Sequence, residues 1–266
     1  MGVRLTHIGG PTVLIELGGW RLLTDPTFDP AGGSYRFGWG TGSVKTTGPA
    51  IAAAELAPID AVLLSHDQHD DNLDAAGRAF LPQVGTVVTT VPGAGRLGDG
   101  ARGLAAWEET TLAAPGKTPL EIVATPCRHG PPLSRPIVGE VIGFGLRVAE
   151  PASEAPPAKR PVDLWISGDT VLYDGVREVA ERLDVDVALI HLGGVRFPIS
   201  GPLRYTMNGA EAAELADLLA PRVVVPIHYE GWKHFREGRD EAETGLAGAA
   251  TRERFRWPPI GSAFEV

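Results

Sequence analysis

Ser65-His66-Asp67-Gln68-His69-Asp70-Asp71-Asn72-Leu73-Asp74 follows directly on the apolar run Ile59-Asp60-Ala61-Val62-Leu63-Leu64. A short apolar run that stops in a polar turn reads as a buried strand ending at a sheet edge. The five successive positions His66 to Asp70 would be costly as an uncompensated cluster of polar and charged groups. A bound cation offsets that cost and depresses the pKa values of its ligands. Neutral imidazoles and carboxylates suit zinc, and also manganese or iron, whereas the lack of thiolates disfavours a purely structural zinc. A solvated acidic turn capping a helix near Leu73 would account for Asp71, Asn72 and Asp74, but not for two histidines.

The same pattern recurs along the chain. Leu120–Ala124 runs into Pro126-Cys127-Arg128-His129, Asp163–Ile166 into Ser167-Gly168-Asp169, Asp186–Ile190 into His191, and Arg222–Ile227 into His228. Thr86–Thr90 is a further short run of this kind. Side chains at successive strand ends converge on one edge of a sheet, where α/β proteins place their sites. Between these runs lie helical stretches: Asn208 is placed to cap an amphipathic helix over 210–219, and a shorter helix is expected over 176–183. At the N-terminus, 3–8, 12–17 and 20–24 read as strands, with Gly18-Gly19 as a hairpin turn. Interleaved strands and helices, with no internal repeat, predict one layered α/β domain over 1–266. Residues 150–160 read as an exposed hairpin loop between two strands.

Composition narrows the partners. The 266 residues carry 24 Lys+Arg against 33 Asp+Glu, a net charge of −9, which argues against nucleic acid or an anionic membrane as a bulk-charge partner. No apolar run approaches the ~18 residues of a membrane span. The start lacks the apolar segment of a secretory signal, and a cytoplasmic location is expected. The single cysteine, Cys127, excludes an internal disulfide and any cysteine-cage zinc site.

Taken in order, these residues resemble the metallo-β-lactamase superfamily, whose strand-end signature is His-x-His-x-Asp-His followed by a later His, an Asp and a final His. His129, Asp169 and His228 match the later members. His7-Ile8-Gly9, Leu14-Ile15-Glu16 and Thr24-Asp25-Pro26 look closest to the branch of ascorbate-phosphate lactonases and N-acyl-phosphatidylethanolamine phospholipase D, although Gly10 stands where that branch often has a His. The first motif departs from the pattern. Counting forward from His66 puts Gln68 at the second His, Asp70 at the Asp and Asp71 at the third His. Counting back from Asp71-Asn72-Leu73-Asp74 makes His69 the second His, Asp71 the Asp and Asn72 the third His, with one inserted residue. The second register is preferred because it keeps an imidazole where a nitrogen ligand is wanted; under either, the third His is replaced.

The resemblance implies an αβ/βα four-layer sandwich with two mixed sheets flanked by helices, holding one or two Zn2+ (or Mn2+/Fe2+) ions on His66, His69, Asp71, His129, Asp169 and His228. It implies metal-activated hydrolysis of a small or medium ester, lactone or phosphodiester. Asp169 is then the bridging carboxylate, Asp70 or Asp71 the proton acceptor, and His191, Tyr229 or His234 a donor to the leaving group. Arg128, Arg196 and Arg204 are candidates for gripping a phosphorylated or otherwise anionic small-molecule substrate, with Tyr229, Trp232 and His234 as a pocket wall. The Gly- and Pro-rich stretch 26–50, with Phe28, Tyr35, Phe37 and Trp39, could be a lid, a subunit interface or a surface excursion held by its own aromatics. A metal-binding protein without catalysis is the competing reading, motivated by the missing third His. A nuclease is another, which would need a basic groove. A Cys127/His129 thiol–imidazole pair would leave His66, His69 and His228 without a purpose, so a bystander thiol is expected.

Overall fold

The computed structural model describes residues 2–38, 40–149 and 158–266; the readings at Trp39 and over 150–157 lie outside them. Three antiparallel strands open the chain, β1 (Val3–Gly9), β2 (Thr12–Leu17) and β3 (Trp20–Thr24). A separate hairpin follows, β4 (Ser34–Gly38) with β5 (Thr41–Val44), then the one-turn α1 (Ala53–Leu56). Next come β6 (Ala61–Leu63), α2 (Ala75–Phe80), β7 (Val87–Thr90), α3 (Val91–Leu97) and β8 (Ala101–Leu104). The second half runs β9 (Glu109–Leu112), β10 (Leu120–Pro126), α4 (Arg135–Val138), β11 (Ile142–Val148) and β12 (Arg160–Ile166). It continues through α5 (Asp174–Arg182), β13 (Leu183–His191), α6 (Gly209–Leu219), β14 (Val223–Ile227), α7 (Arg239–Gly245) and β15 (Ala263–Glu265).

Two mixed sheets result, ordered β15-β1-β2-β3-β6-β7-β8 and β14-β13-β12-β11-β10-β9. The near-continuous apolar runs are explained by burial on both faces. In β6, Ala61 and Leu63 face the core between the sheets, while Val62, and Leu64 just past the strand, pack outward with Leu56 and Phe80. In β13, Val187 and Leu189 point inward, and Ala188 and Ile190 pack outward against Val176, Val179, Ala212, Leu215 and Ala216 of α5 and α6. Helix, sheet, sheet and helix therefore stack in four layers, the αβ/βα sandwich expected from the sequence. Asn208 caps α6 as anticipated: its Oδ1 accepts from the Glu211 N–H at 2.9 Å, and Glu211 accepts from the Asn208 N–H at 3.2 Å. β11 and β12 are antiparallel neighbours.

Strand direction positions the chemistry. β12, β13 and β14 are mutually parallel, and β10 runs the same way because two antiparallel pairings separate it from β12. Their carboxyl ends share one edge, and the end of β6 meets that edge from the other sheet: the Ile142 N–H donates to Ser65 O at 3.2 Å. A second tie runs from the His228 N–H to Gly10 O, 3.0 Å.

Candidate metal centre

Six donor residues meet at this edge in two groups, His66, His69 and His129, and Asp169, His191 and His228, with the ligand atoms of each group within 4.8 Å of one another. All six are buried. His66 Nε2 lies 3.0 Å and His129 Nε2 3.2 Å from the same atom, His69 Nδ1. His129 Nδ1 is 2.8 Å from Tyr205 O, and since a carbonyl only accepts, the ring proton sits there and Nε2 presents a lone pair. That is the arrangement of a metal-binding imidazole held by a backbone carbonyl. Three nitrogens crowd together where at most one proton can bridge one pair. A shared cation satisfies all three.

In the second group His191 Nδ1 donates to Asp169 Oδ1 at 2.9 Å, and His228 Nδ1 stands 3.5 Å from the same oxygen. Asp71 spans the groups from the pocket side: its Oδ2 accepts from His234 Nε2 at 2.9 Å and lies 3.7 Å from His228 Nε2, an ion-pair distance rather than a hydrogen bond. Asp169 Oδ2, His191 Nε2 and both ring nitrogens of His228 are buried with no hydrogen-bond partner among the described residues. Buried polar atoms are normally paired, so this concentration of unpaired donor atoms fits a divalent ion. His228 also adopts a left-handed backbone, φ +60, which a non-glycine residue holds only where its surroundings enforce it. Gly193 enables the enforcement, since a Cβ there would come 2.6 Å from His228 O.

Electrostatics favour cation binding. Burial, then the neighbouring His69, holds His66 well below its ordinary pKa; burial, then His129, brings His69 to about 4, so both rings are neutral ligands at neutral pH. Burial opposes charge on Asp71 and Asp169, but the surrounding imidazoles outweigh it and both carboxyls stay ionised. His228 is desolvated yet raised to about 9, because Asp169 and Asp71 dominate.

The remaining sequence candidates fall outside the two groups. Asp70 is half-buried, with a pKa raised by burial and then by Asp71. Gln68 is exposed, its Oε1 accepting from the Asp67 N–H at 3.2 Å, while His69 enters the cluster. Arg204 is paired with Glu211 at 2.6 Å, Arg196 is exposed, and Arg128 stacks on Tyr173 at 4.6 Å. Tyr229 packs against Trp257 in the outer core. Cys127 donates from Sγ to Ser167 O at 2.9 Å and makes no bond to His129, as a bystander thiol would. Asp74 and Asn72 are buried rather than solvated, and Asp74 caps α2 through the Gly77 N–H at 2.8 Å.

Of the pocket wall expected from the sequence, His234 lines the cavity that opens on the cluster while Tyr229 and Trp232 do not, and the apolar residues of the wall after β13 were not anticipated. A cavity of about 200 Å³ exposes His69, Asp71, His129 and His234 at its base and is walled by Phe37, Ile137, Val138, Val195, Phe197 and Ile199. Phe37, on the β4–β5 hairpin, sits 5.6 Å from the His69 ring and 5.3 Å from that of His234. The hairpin therefore lies over the site, whereas Phe28 belongs to the core with Phe80. A larger cavity of about 520 Å³ lies on the far side of His129, lined in part by Arg128 and Arg135.

Comparison with known proteins agrees with this geometry. Residues 20–229 match the model of the beta-lactamase superfamily domain. A UPF0173 metal-dependent hydrolase of Caldivirga maquilingensis is 26% identical over 239 residues, 89% of this chain and 86% of the relative. Among solved structures, an isothiocyanate hydrolase from Delia radicum gut bacteria superposes with a TM-score of 0.79 at 18% identity, over 99% of this chain and 100% of that one. A possible metal-dependent hydrolase from Veillonella parvula superposes with 0.78 at 15% identity, over the whole of both chains. The chain belongs to the beta-lactamase superfamily. With its paired His/Asp clusters it is a metal-dependent hydrolase of the metallo-β-lactamase fold.

Proposed function

We propose that residues 1–266 act as one metallo-hydrolase domain that cleaves a small, uncharged ester or lactone. The observation that carries this reading is the wall of the 200 Å³ pocket: six apolar side chains with Thr41, Ser200 and Tyr205 face the donor cluster, and no Lys or Arg among the described residues lines it. An anionic phosphodiester would there find countercharge only from the bound ions, with no Lys or Arg on the wall to hold its remaining oxygens, whereas a neutral ester needs none. His66, His69 and His129 would hold one ion, with Asp169, Asp71 and His228 toward a second. Zinc, manganese or iron all suit these donors. When bound, such ions supply a water that is nucleophilic near neutral pH and polarise the carbonyl under attack.

The chain's own residues do the rest. Asp71 accepts the proton shed by the attacking water; His234, whose Nε2–H lies 2.9 Å from Asp71 Oδ2, gives that proton to the departing oxygen and takes the one held by Asp71 in its place. Phe37 and Phe197 exclude bulk water. His129 is kept in its ligating tautomer by Tyr205 O. A cytoplasmic setting suits the single thiol.

An isothiocyanate, the substrate class named for the Delia radicum neighbour, shares the size and neutrality of this pocket and belongs in the assay. Arg128 in the larger cavity beside His129, where Arg135 is paired with Glu140, favours a second reading, an anionic substrate. Zinc-loaded protein assayed on short aryl esters, γ- and δ-lactones, an aryl isothiocyanate and an aryl phosphodiester should turn over neutral substrates and lose activity with chelator. Chelator-sensitive turnover confined to the phosphodiester would refute the neutral-substrate reading. Inactivity on every substrate despite bound metal would favour a binding protein.

A further inference from the structure

Asn72 occupies the place of the third motif histidine in the register that puts His69 in the cluster. Its side chain is fully buried, its Oδ1 has no hydrogen-bond partner among the described residues, and its Nδ2 is 3.5 Å from Ser65 Oγ. An amide oxygen is a poor substitute for imidazole toward zinc or iron. The second ion position has thus lost a nitrogen donor from the first motif.

The geometry points to His191, from a different sheet, as the replacement donor. β13 lies between β12 and β14, paired in parallel with both, and His191 stands opposite Ile227 in that register. The last residue of β13 is therefore delivered between Asp169, just beyond β12, and His228, just beyond β14. The His191 ring is fully buried and stacks on His228 with centroids 5.3 Å apart and planes at 23°. One of its nitrogens meets Asp169 Oδ1 at 2.9 Å and the other has no partner. An imidazole kept only for packing would not be placed with an unpaired buried nitrogen beside an ionised carboxylate and a second unpaired imidazole. His234 and His7 are the other histidines nearby; His234 reaches Asp71 from the pocket, His7 donates from Nε2 to Gly10 O at 2.9 Å, and neither joins Asp169 and His228. The donor removed at position 72 is restored at position 191, so the chain retains a two-ion centre with an altered ligand order.

This inference rests on the metal-hydrolase reading above, and stoichiometry separates the two. Protein dialysed against Zn2+ should hold two equivalents by elemental analysis. His191→Asn, which retains an N–H for Asp169 but no imidazole, should hold one, the second dissociation constant rising at least about 100-fold, since even partners that only orient a ligand are worth 10–100-fold. His234→Ala should still bind two. Adding Asn72→His to His191→Asn should bring the second equivalent back, which a purely orienting His191 would not allow. Circular dichroism establishes that each variant folds. Should His191→Asn fail to fold, the wild-type protein decides, because the His191 ring-nitrogen resonance should shift with the second equivalent of zinc. One equivalent in a hydrolytically active wild type, a second dissociation constant within about threefold in His191→Asn, or an unmoved His191 resonance would overturn the inference and leave the hydrolase reading standing. No bound metal at all would overturn both.

Discussion

The decisive perturbation within the first motif is the pair His69→Ala and Gln68→Ala, adjacent residues that the two alignment registers assign opposite roles. His69 Nδ1 lies 3.0 Å and 3.2 Å from the donor nitrogens of His66 and His129, so its removal takes one of three nitrogens from the first ion. A four-ligand structural zinc contributes about 10–16 kcal/mol of binding free energy, roughly 3 kcal/mol per ligand, which corresponds to about a 100-fold loss in affinity. Gln68 is exposed; its side chain packs on Gly139 and accepts from the Asp67 backbone N–H at 3.2 Å, and it makes no hydrogen bond to the cluster. Its truncation should change stability by no more than about 0.5 kcal/mol and zinc affinity by less than about threefold. Competition against a chromophoric zinc chelator at neutral pH measures both affinities, and thermal melts by circular dichroism establish that both variants fold. Activity of the zinc-loaded proteins should fall with His69→Ala and hold with Gln68→Ala. If Gln68→Ala lost more zinc than His69→Ala, the placement of the inserted residue and the ligand set built on it would be wrong.

Other perturbations test other parts of the site. Asp74 accepts from Lys45 Nζ at 2.8 Å and from the N–H groups of Phe28, Asp29 and Gly77, with both charged residues buried. Asp74→Ala should therefore cost about 3–5 kcal/mol and lower the melting temperature by roughly 10 °C, and a drop under about 3 °C would contradict the buried-pair account. Phe37→Ala should reduce kcat/KM for ester substrates by about 10-fold or more through lost apolar contact, with little effect on zinc content; unchanged kinetics would mean that the β4–β5 hairpin does not contact substrate. In chelator-treated protein, the His228 pKa raised to about 9 by Asp169 and Asp71 contributes stability that is fully present below about 6.5 and lost as pH climbs through about 9. Asp25, raised to about 8 by burial, acts in the same direction because the folded state binds its proton more tightly. The metal-free melting temperature should thus fall between pH 6.5 and 9, and a rise over that interval would refute the assignment. Burial, then Asp169 and Asp25, pushes the Cys127 thiol well above its ordinary range, so alkylation at pH 8 should be slow in the folded protein and fast in urea; rapid modification of the native protein would revive the thiol as a nucleophile.

Much of the architecture was legible because burial on both faces writes itself as uninterrupted apolar runs. Six such runs correspond to β6, β7, β10, β12, β13 and β14, and the residues just past five of them carry the donors of both groups. Asn208 and Glu211 declared the start of α6 through their spacing. The edge strands β8 and β9 passed unread, since short strands with exposed residues lack an apolar signature. β11 was legible only as the strand preceding the 150–160 loop, and its glycines blurred its bounds. Gly143 and Gly145 suggest a turn, yet a Cβ at Gly143 would come 2.5 Å from Ile166 O and one at Gly145 2.8 Å from Val123 Cγ1, so close packing within the sheet requires them.

From its own pattern the chain announced a layered α/β fold with histidines and carboxylates gathered at strand ends, because strand period, helix caps and turns are local properties written over a few neighbouring residues. Long-range contacts decided the remainder. Whether Gln68 or His69 enters the cluster depends on how an irregular turn directs its side chains, and such a turn has no period to read. His234 reaches Asp71 across 163 residues of chain, and Arg204 spends its charge on Glu211 rather than on a ligand. The apolar wall over the centre is assembled from the β4–β5 hairpin, α4 and the stretch after β13, segments that meet only when the two sheets have closed on their shared core.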